Sequence, residues 1–155
     1  MLTGFGFYSC TGKDMDDTSD DIKSFAPLFG TNHKFNGWMD YFYVGNHAGS
    51  VGLVDIYGNI GFKKGKFSFK MIPHMFMSHA KITDMSNNEM EKYLGTEIDM
   101  AMGYKLNSYV KISAGYSKMF ATDSMEILKG GDKDTGNSWA WLMFTVKPVL
   151  FSSEK

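Results

Sequence analysis

The sequence contains no arginine: its 16 basic residues are all lysines, and 17 acidic residues bring the net charge to -1. Readout of bases and phosphates relies on arginine and on a basic surface, so no nucleic-acid partner is expected. Cys10 is the single cysteine, which excludes an intrachain disulfide and a thiolate metal cluster. No apolar run approaches the roughly 18 residues that indicate a membrane-spanning helix.

Motifs of catalysis are also missing. There is no nucleophile elbow, phosphate loop, zinc signature or redox cysteine pair. The acidic run that begins at Asp14 lacks the glycine and glutamate that a calcium loop needs at its sixth and twelfth positions. Helical ligand spacing is absent among the four histidines, which are His33, His47, His74 and His79. We therefore predict no enzyme, no metal and no cofactor. The alternative is a carbohydrate-acting enzyme that uses Glu97 and Asp99 as a carboxylate pair.

The most informative stretch runs from Tyr93 to Phe120 and alternates in polarity with a period of two, which is typical of β-strands. Apolar residues occupy the even positions from Leu94 onward, and small or charged residues occupy the odd positions. Asn107-Ser108 interrupts the pattern as a tight turn would. Strands of soluble proteins usually have about 5–6 residues, whereas a tilted strand that crosses a bilayer needs about 9–11. These two strands meet the second standard.

The same pattern elsewhere predicts an all-β fold, an antiparallel up-and-down meander of about six long strands. The predicted strands are 2–11, 51–64, 66–80, 93–106, 109–121 and 138–151, and the long loops are 12–50, 81–92 and 122–137. Pro73 predicts a defect or bulge in the third strand. Asp123 to Glu126, followed by Gly130-Gly131, predicts a short helix in the last loop. Short turns alternate with long loops, as in outer-membrane barrels.

One face of these strands is polar and the other apolar. The residues predicted to line a wet pore are Asp55, Tyr57, Lys70, His74, Glu97, Asp99, Lys105 and Lys111. A dry core would not accept such charges unpaired, so the apolar face is expected to contact membrane lipid. Trp38, Tyr41, Phe42 and Tyr43 are expected in an aromatic girdle, with a sugar track as the alternative. The alternative fold is a soluble β-barrel or sandwich that binds an apolar ligand.

Six strands are fewer than the 8 of the smallest single-chain outer-membrane barrels, and an open sheet edge cannot lie in lipid. The sequence therefore predicts a curved open sheet that forms part of a larger transmembrane β-barrel and pairs with its remaining strands. No secretory signal follows Met1. A barrel must be exported, so either the chain is a C-terminal piece of a longer protein or the membrane interpretation is wrong.

Four phrases of the sequence carry a family resemblance. FAPLFGTNHKFNGWMDYF, LGTEID, SAGYSKMFATDSMEILKGG and NSWAWLMFTVKP resemble the C-terminal portion of alginate-export-type outer-membrane barrels, especially those of Bacteroidetes. The resemblance covers nearly the whole chain and implies a porin-like channel of about 18 strands in the bacterial outer membrane. It also implies passive export of acidic polysaccharide through a constriction rich in arginine and lysine. This chain departs from that pattern because it has no arginine. The predicted cargo is polar or anionic solutes, with acidic polysaccharide as one candidate.

Overall fold

The computed structural model describes residues 1–26 and 35–148, which form an antiparallel sheet of six strands. The strands are β1 (Leu2–Cys10), β2 (Leu53–Lys64), β3 (Phe67–Met77), β4 (Tyr93–Lys105), β5 (Val110–Ala121) and β6 (Ser138–Val146), and the helices are α1 (Val44–His47) and α2 (Asp123–Lys129). Each strand pairs with its neighbours in sequence, so the predicted meander and open sheet are confirmed. His33 and the predicted strand end at 149–151 lie outside the described residues.

The register brings side chains of like polarity together across the sheet. Met71, Met100 and Tyr116 lie side by side in one row, and we call their side of the sheet the apolar face. Lys70 and Ala101 pair in the next row and belong to the opposite, polar face. Large exposed side chains on the apolar face are Phe5, Phe7, Phe62, Met102, Tyr104, Leu142 and Phe144. Lys118 also lies on this face near its end, with Nζ 5.8 Å from the ring centroid of Phe120.

The two ends of the sheet differ in their connections. At the turn end, Gly65 (φ 56°) helps to link β2 to β3. The turn between β4 and β5 is held by Asn107 Oδ1, which accepts hydrogen bonds from the amides of Tyr109 and Val110 at 2.8 and 2.9 Å. At the loop end, residues 11–52, 78–92 and 122–137 form the long connections. Short and long connections therefore alternate along the chain.

The long loops pack together over the loop end of the sheet. The buried apolar residues of this cap cluster are Phe42, Val51, Leu53, Phe76, Ala80, Ile82, Leu94, Met119 and Met125. Burying a side chain of this size stabilises the fold by about 1.5–3 kcal/mol. Neither helix, nor any other helical segment in the described ranges, is long and apolar enough to cross a membrane.

Leu94 corrects one expectation, because the alternation assigned it to the apolar face. The register between β3 and β4 shifts between Phe76 and Met77, and Gly95 has a φ of 147°. This irregularity turns Leu94 into the cap cluster, where it is 0% exposed. Pro73 marks a different defect: the pairing of β2 with β3 is interrupted there without a change of register.

The connecting loops contain two helices, one of them expected. α2 is the predicted short helix, but its N-cap is Thr122 rather than Asp123, since Thr122 Oγ1 accepts from the amide of Met125 at 3.4 Å. The Gly130 amide closes the helix by donating to the carbonyl of Glu126 at 2.8 Å. α1 was not predicted, because its four residues fall within what the composition indicates as irregular loop.

A buried histidine joins α1 to the cap cluster. His47 Nε2 lies 3.0 Å from the carbonyl oxygen of Gly52, and its ring packs edge-on against Phe42 at 5.2 Å. Burial, assisted by the positive charge of Lys129 and partly offset by the contact with the Gly52 carbonyl, lowers the pKa of His47 to about 4. Burial also lowers the pKa of Lys129, to about 8; its Nζ lies over the Phe42 ring and donates to the carbonyl of Asn46 at 2.9 Å.

This histidine predicts that acid destabilises the loop end. The unfolded chain takes up the His47 proton near pH 6.5 and the folded chain only near pH 4, so stability is lost as the pH falls through this window. The loss should reach on the order of 3 kcal/mol by pH 4. Urea unfolding at pH 7 and pH 4.5 measures it. His47→Gln should make the change in stability between the two pH values less unfavourable by about 2–3 kcal/mol relative to the parent, whereas the exposed His79→Gln should leave that change as it is in the parent. Equal pH dependence in both variants would contradict the assignment.

Candidate functional site

A segment of the first long loop lies on the polar face. We call residues 35–40 the docked segment. Asn36 and Gly37 have φ angles of 62° and 85°, in the left-handed region that asparagine and glycine tolerate best. This turn directs the next two amides at β4. The Trp38 amide donates to Glu97 Oε1 at 2.6 Å and to Asp99 Oδ2 at 3.1 Å, and the Met39 amide donates to Glu97 Oε1 at 2.9 Å.

The carboxylates that receive these amides are fully enclosed. Glu97 and Asp99 are both 0% exposed, and Ser117 Oγ donates to Asp99 Oδ1 at 2.5 Å from the facing position of β5. A buried carboxylate is costly unless it is hydrogen-bonded, so the amides and the hydroxyl make this burial tolerable. Among the residues that the structure describes, Glu97 Oε2 is buried without a hydrogen-bond partner. A Cβ at Gly37 would lie 2.7–2.8 Å from the Glu97 carboxyl atoms, so a side chain there would displace one partner.

His74 extends this group towards β2. Its Nδ1 lies 3.0 Å from both carboxylate oxygens of Asp55, and its Nε2 lies 3.7 Å from Asp99 Oδ2. Because His74 Nδ1 faces a carboxylate, we assign the ring proton to Nδ1, from which it is donated as a hydrogen bond to Asp55. The ring stacks between Tyr57 and Phe76, at centroid distances of 5.3 and 5.4 Å. The polar face thus holds two hydrogen-bonded pairs, Asp55 with His74 and Asp99 with Ser117, that meet where His74 Nε2 lies 3.7 Å from Asp99.

None of these clusters is arranged to hold a metal. Within residues 1–26 and 35–148, no group of three or more histidine, cysteine, aspartate or glutamate side chains has the geometry for an ion. The acidic run of the first loop instead pairs with lysines. Asp17 contacts Lys23 at 2.6 Å, and Asp16 contacts Lys81 at 2.7 Å. The Asp16–Lys81 pair ties the first long loop to the second.

A cavity of about 370 Å³ lies beside the docked segment. Its walls include Trp38, Tyr57, Asn59 and Lys70. Lys70 Nζ lies 5.9 Å from the Trp38 ring centroid, within cation–π range. The cavity therefore combines aromatic faces, an amide and a cation on the polar face of the sheet.

All eight residues predicted to line a pore lie on the polar face, but they do not share one environment. Asp55, His74, Glu97 and Asp99 are buried, Tyr57 and Lys111 are half-buried, and Lys70 and Lys105 are exposed. The expectation that the carboxylates meet open water is wrong, because the docked segment covers them. The pore-lining role itself stays a prediction.

The expected aromatic girdle is also wrong for Trp38, Tyr41 and Phe42, and for Tyr43 it stays a prediction. The Trp38 backbone covers the polar face, and Phe42 is buried in the cap cluster with Tyr41 packed against that cluster. Burial, and then the charge of Glu97, raise the pKa of Tyr41. Sequence reasoning missed the roles of Gly37, Met39 and Ser117. The signals that could have found them are the Asn36-Gly37 turn and the need of two buried carboxylates for donors.

The fold and the site together describe an open antiparallel sheet with one polar and one apolar face and with a loop held on the polar face. No family model, curated protein or solved structure matches the chain. The resemblance to alginate-export-type barrels therefore stays a prediction.

Proposed function

We propose that this chain forms part of a bacterial outer-membrane β-barrel channel that passes polar or anionic solutes passively. The observation that carries the proposal is the polarity of the two faces. Polar groups such as Asp55, Glu97 and Asp99 are buried on one face, while large apolar side chains on the other, such as Leu142 and Phe144, are exposed by about two thirds, 65% and 64%. A contiguous exposed apolar surface marks a contact with lipid or with a protein partner.

Strand length and sheet edges support a barrel rather than a peripheral sheet. The six strands have 9 to 13 residues, enough for a tilted crossing of the hydrocarbon core. Within the described residues, β1 and β6 each pair on one side only. A sheet in lipid must satisfy both edges, so the proposal includes further strands of the same barrel as partners of β1 and β6.

The charges of the polar face favour anions as the solutes. Within the described residues, Lys63, Lys70, Lys105 and Lys111 form no ion pair with a carboxylate. The carboxylates of this face are instead bound by His74, by Ser117 and by backbone amides. Because Asp55, Glu97 and Asp99 are buried, the charge that a solute would meet on this face is that of the lysines. An acidic polysaccharide, as the family resemblance implies, would satisfy the same chemistry.

Two other functions are less well supported. A soluble apolar-ligand carrier requires the methionines and phenylalanines inside, whereas Met102 and Phe144 are exposed. A glycosidase pair requires Glu97 and Asp99 to contact a substrate, whereas both are 0% exposed and bound by amides. These contacts favour a channel without catalytic chemistry.

The test is conductance of the complete outer-membrane protein that contains this chain. Purified from outer membranes in detergent and inserted into planar bilayers, it should form ion channels with a preference for anions. A complete protein that stays soluble without detergent, or that does not conduct, would contradict the proposed function.

Lys70 provides a variant that tests the charge argument. Lys70→Glu should shift the reversal potential in a salt gradient towards cations, because it places a carboxylate in the cavity beside Trp38. Lys64→Glu is the control, since it makes the same charge change at the turn end of β2, where Lys64 shares the parity of the apolar face. Equal shifts in the two variants would show that overall charge, not position in the pore, sets the selectivity.

A further inference from the structure

Glu97 has the contacts of a positioning residue rather than of a pore charge. It is 0% exposed, so a passing ion cannot reach it. Its Oε1 accepts the consecutive amides of Trp38 and Met39, at 2.6 and 2.9 Å. A buried amide that loses its acceptor is costly, so both amides favour this placement of the segment. The two hydrogen bonds converge on one oxygen and fix both the place and the orientation of the docked segment.

Gly37 completes this contact from the side of the loop. The backbone there has a φ of 85°, and the absent Cβ leaves the space that the Glu97 carboxyl group fills. Any other residue would bring a carbon to 2.7–2.8 Å from that group. The close approach of the loop to β4 therefore depends on glycine at 37 and on a carboxylate at 97 together.

We propose that residues 35–40 form the constriction of the channel, and that Glu97, assisted by Asp99, is the latch that holds this segment across the polar face. The inference rests on the proposed function and deepens it by assigning the element that sets the pore width. Solutes would pass beside the segment, along the cavity that Trp38 and Lys70 line. Releasing the latch should leave the barrel wall in place and widen the passage.

Gly37→Ala tests the latch without changing any strand. In planar bilayers, the complete protein with this substitution should show a larger single-channel conductance and more frequent current fluctuations than the parent. Gly49→Ala is the matched control: it lies in the same loop at a φ of 74°, but its Cβ would meet nothing within 4 Å. It should conduct like the parent protein.

Substitutions at Glu97 provide a second test of the same proposal. Glu97→Leu removes the acceptor and should reproduce the Gly37→Ala conductance, whereas Glu97→Gln retains one acceptor oxygen for the two amides and should restore most of the parent behaviour. If the glutamine variant conducts like the parent, Glu97 acts by accepting hydrogen bonds from the segment and not by carrying a charge that selects ions. If Gly37→Ala and Glu97→Leu both conduct like the parent, the proposal that Glu97 holds residues 35–40 as the constriction is wrong. The proposed channel function is then unaffected.

Fluorescence quenching of Trp38 tests the docking of residues 35–40 independently of whether the protein is a channel. In a Trp139→Phe, Trp141→Phe background, Trp38 is the remaining tryptophan of this chain, and a single-tryptophan protein requires the same replacement elsewhere in the complete barrel. Iodide quenching of its emission should rise in Gly37→Ala and not in Gly49→Ala. Increased quenching in a protein that does not conduct would uphold the docking of the segment and overturn the channel. Unchanged quenching would overturn the latch.

Discussion

Met100→Lys should destabilise the protein folded in a phospholipid bilayer by about 2–4 kcal/mol, the cost of a lysine near the midplane on a lipid-facing strand. Met100 lies near the middle of β4 and pairs with Met71 and Tyr116 on the apolar face. If that face contacts acyl chains, the ammonium group has no water within reach. Urea titration of the complete protein folded into lipid vesicles measures the change.

The next residue along the strand is the control for this substitution. Ala101 lies on the polar face between Lys70 and Gly115. Ala101→Lys should cost far less, because its ammonium group can reach water on the inner side. Equal costs at 100 and 101, or no cost at either, would contradict a lipid contact on the apolar face.

Phe76→Ala should lower the free energy of unfolding by about 3–5 kcal/mol, the usual loss when a buried phenylalanine is truncated. Phe76 is 0% exposed and sits at the centre of the cap cluster, with its ring 4.6 Å from that of Phe42. The substitution removes the contact between β3 and the first long loop, and it leaves His74 without one of its two stacking partners. Equilibrium unfolding in urea, followed by tryptophan emission, gives the loss.

Phe120→Ala is the matched change at the same end of the sheet. Phe120 lies on the apolar face of β5 and is 53% exposed, so its truncation should cost well under the loss at Phe76. If the two losses are equal, the loop end is not held by the cap cluster. A smaller loss at Phe76 than at Phe120 would contradict the packing described for the long loops.

The strands were predictable because the face of a side chain follows from its place in the alternation. Asp99 and Met100 are assigned to opposite faces by parity alone, and the register confirms both assignments. Leu94 shows the limit of the method. One irregularity near Gly95 reverses the face of the residue before it. Glycine inside a strand often marks such a bulge, but Gly103 and Gly115 lie in the same sheet without one, so the signal does not identify the position. Helix α2 was predictable from its flanking cap residues, whereas the shorter α1 carries no such signal.

The site could be predicted only in part. Its carboxylates were identified because they interrupt an otherwise small or neutral face. The donors that cover them come from Trp38 and Met39, which lie 58 to 61 positions away in sequence from Glu97 and Asp99. A single sequence contains no pattern that links residues so far apart, and backbone amides have no side-chain identity to recognise. Asn36-Gly37 indicates a turn but not where that turn docks.

Nitroxide scanning of β4 tests whether the apolar face contacts lipid. Single cysteines at 98 to 104, in a Cys10→Ser form of the complete protein that is otherwise free of cysteine, would carry the label in lipid vesicles. Collisions with oxygen, which concentrates in lipid, should peak at Ile98, Met100, Met102 and Tyr104 and fall at the positions between them. Peaks at those same residues for a water-soluble nickel chelate, without peaks for oxygen, would place the face in water and contradict the account.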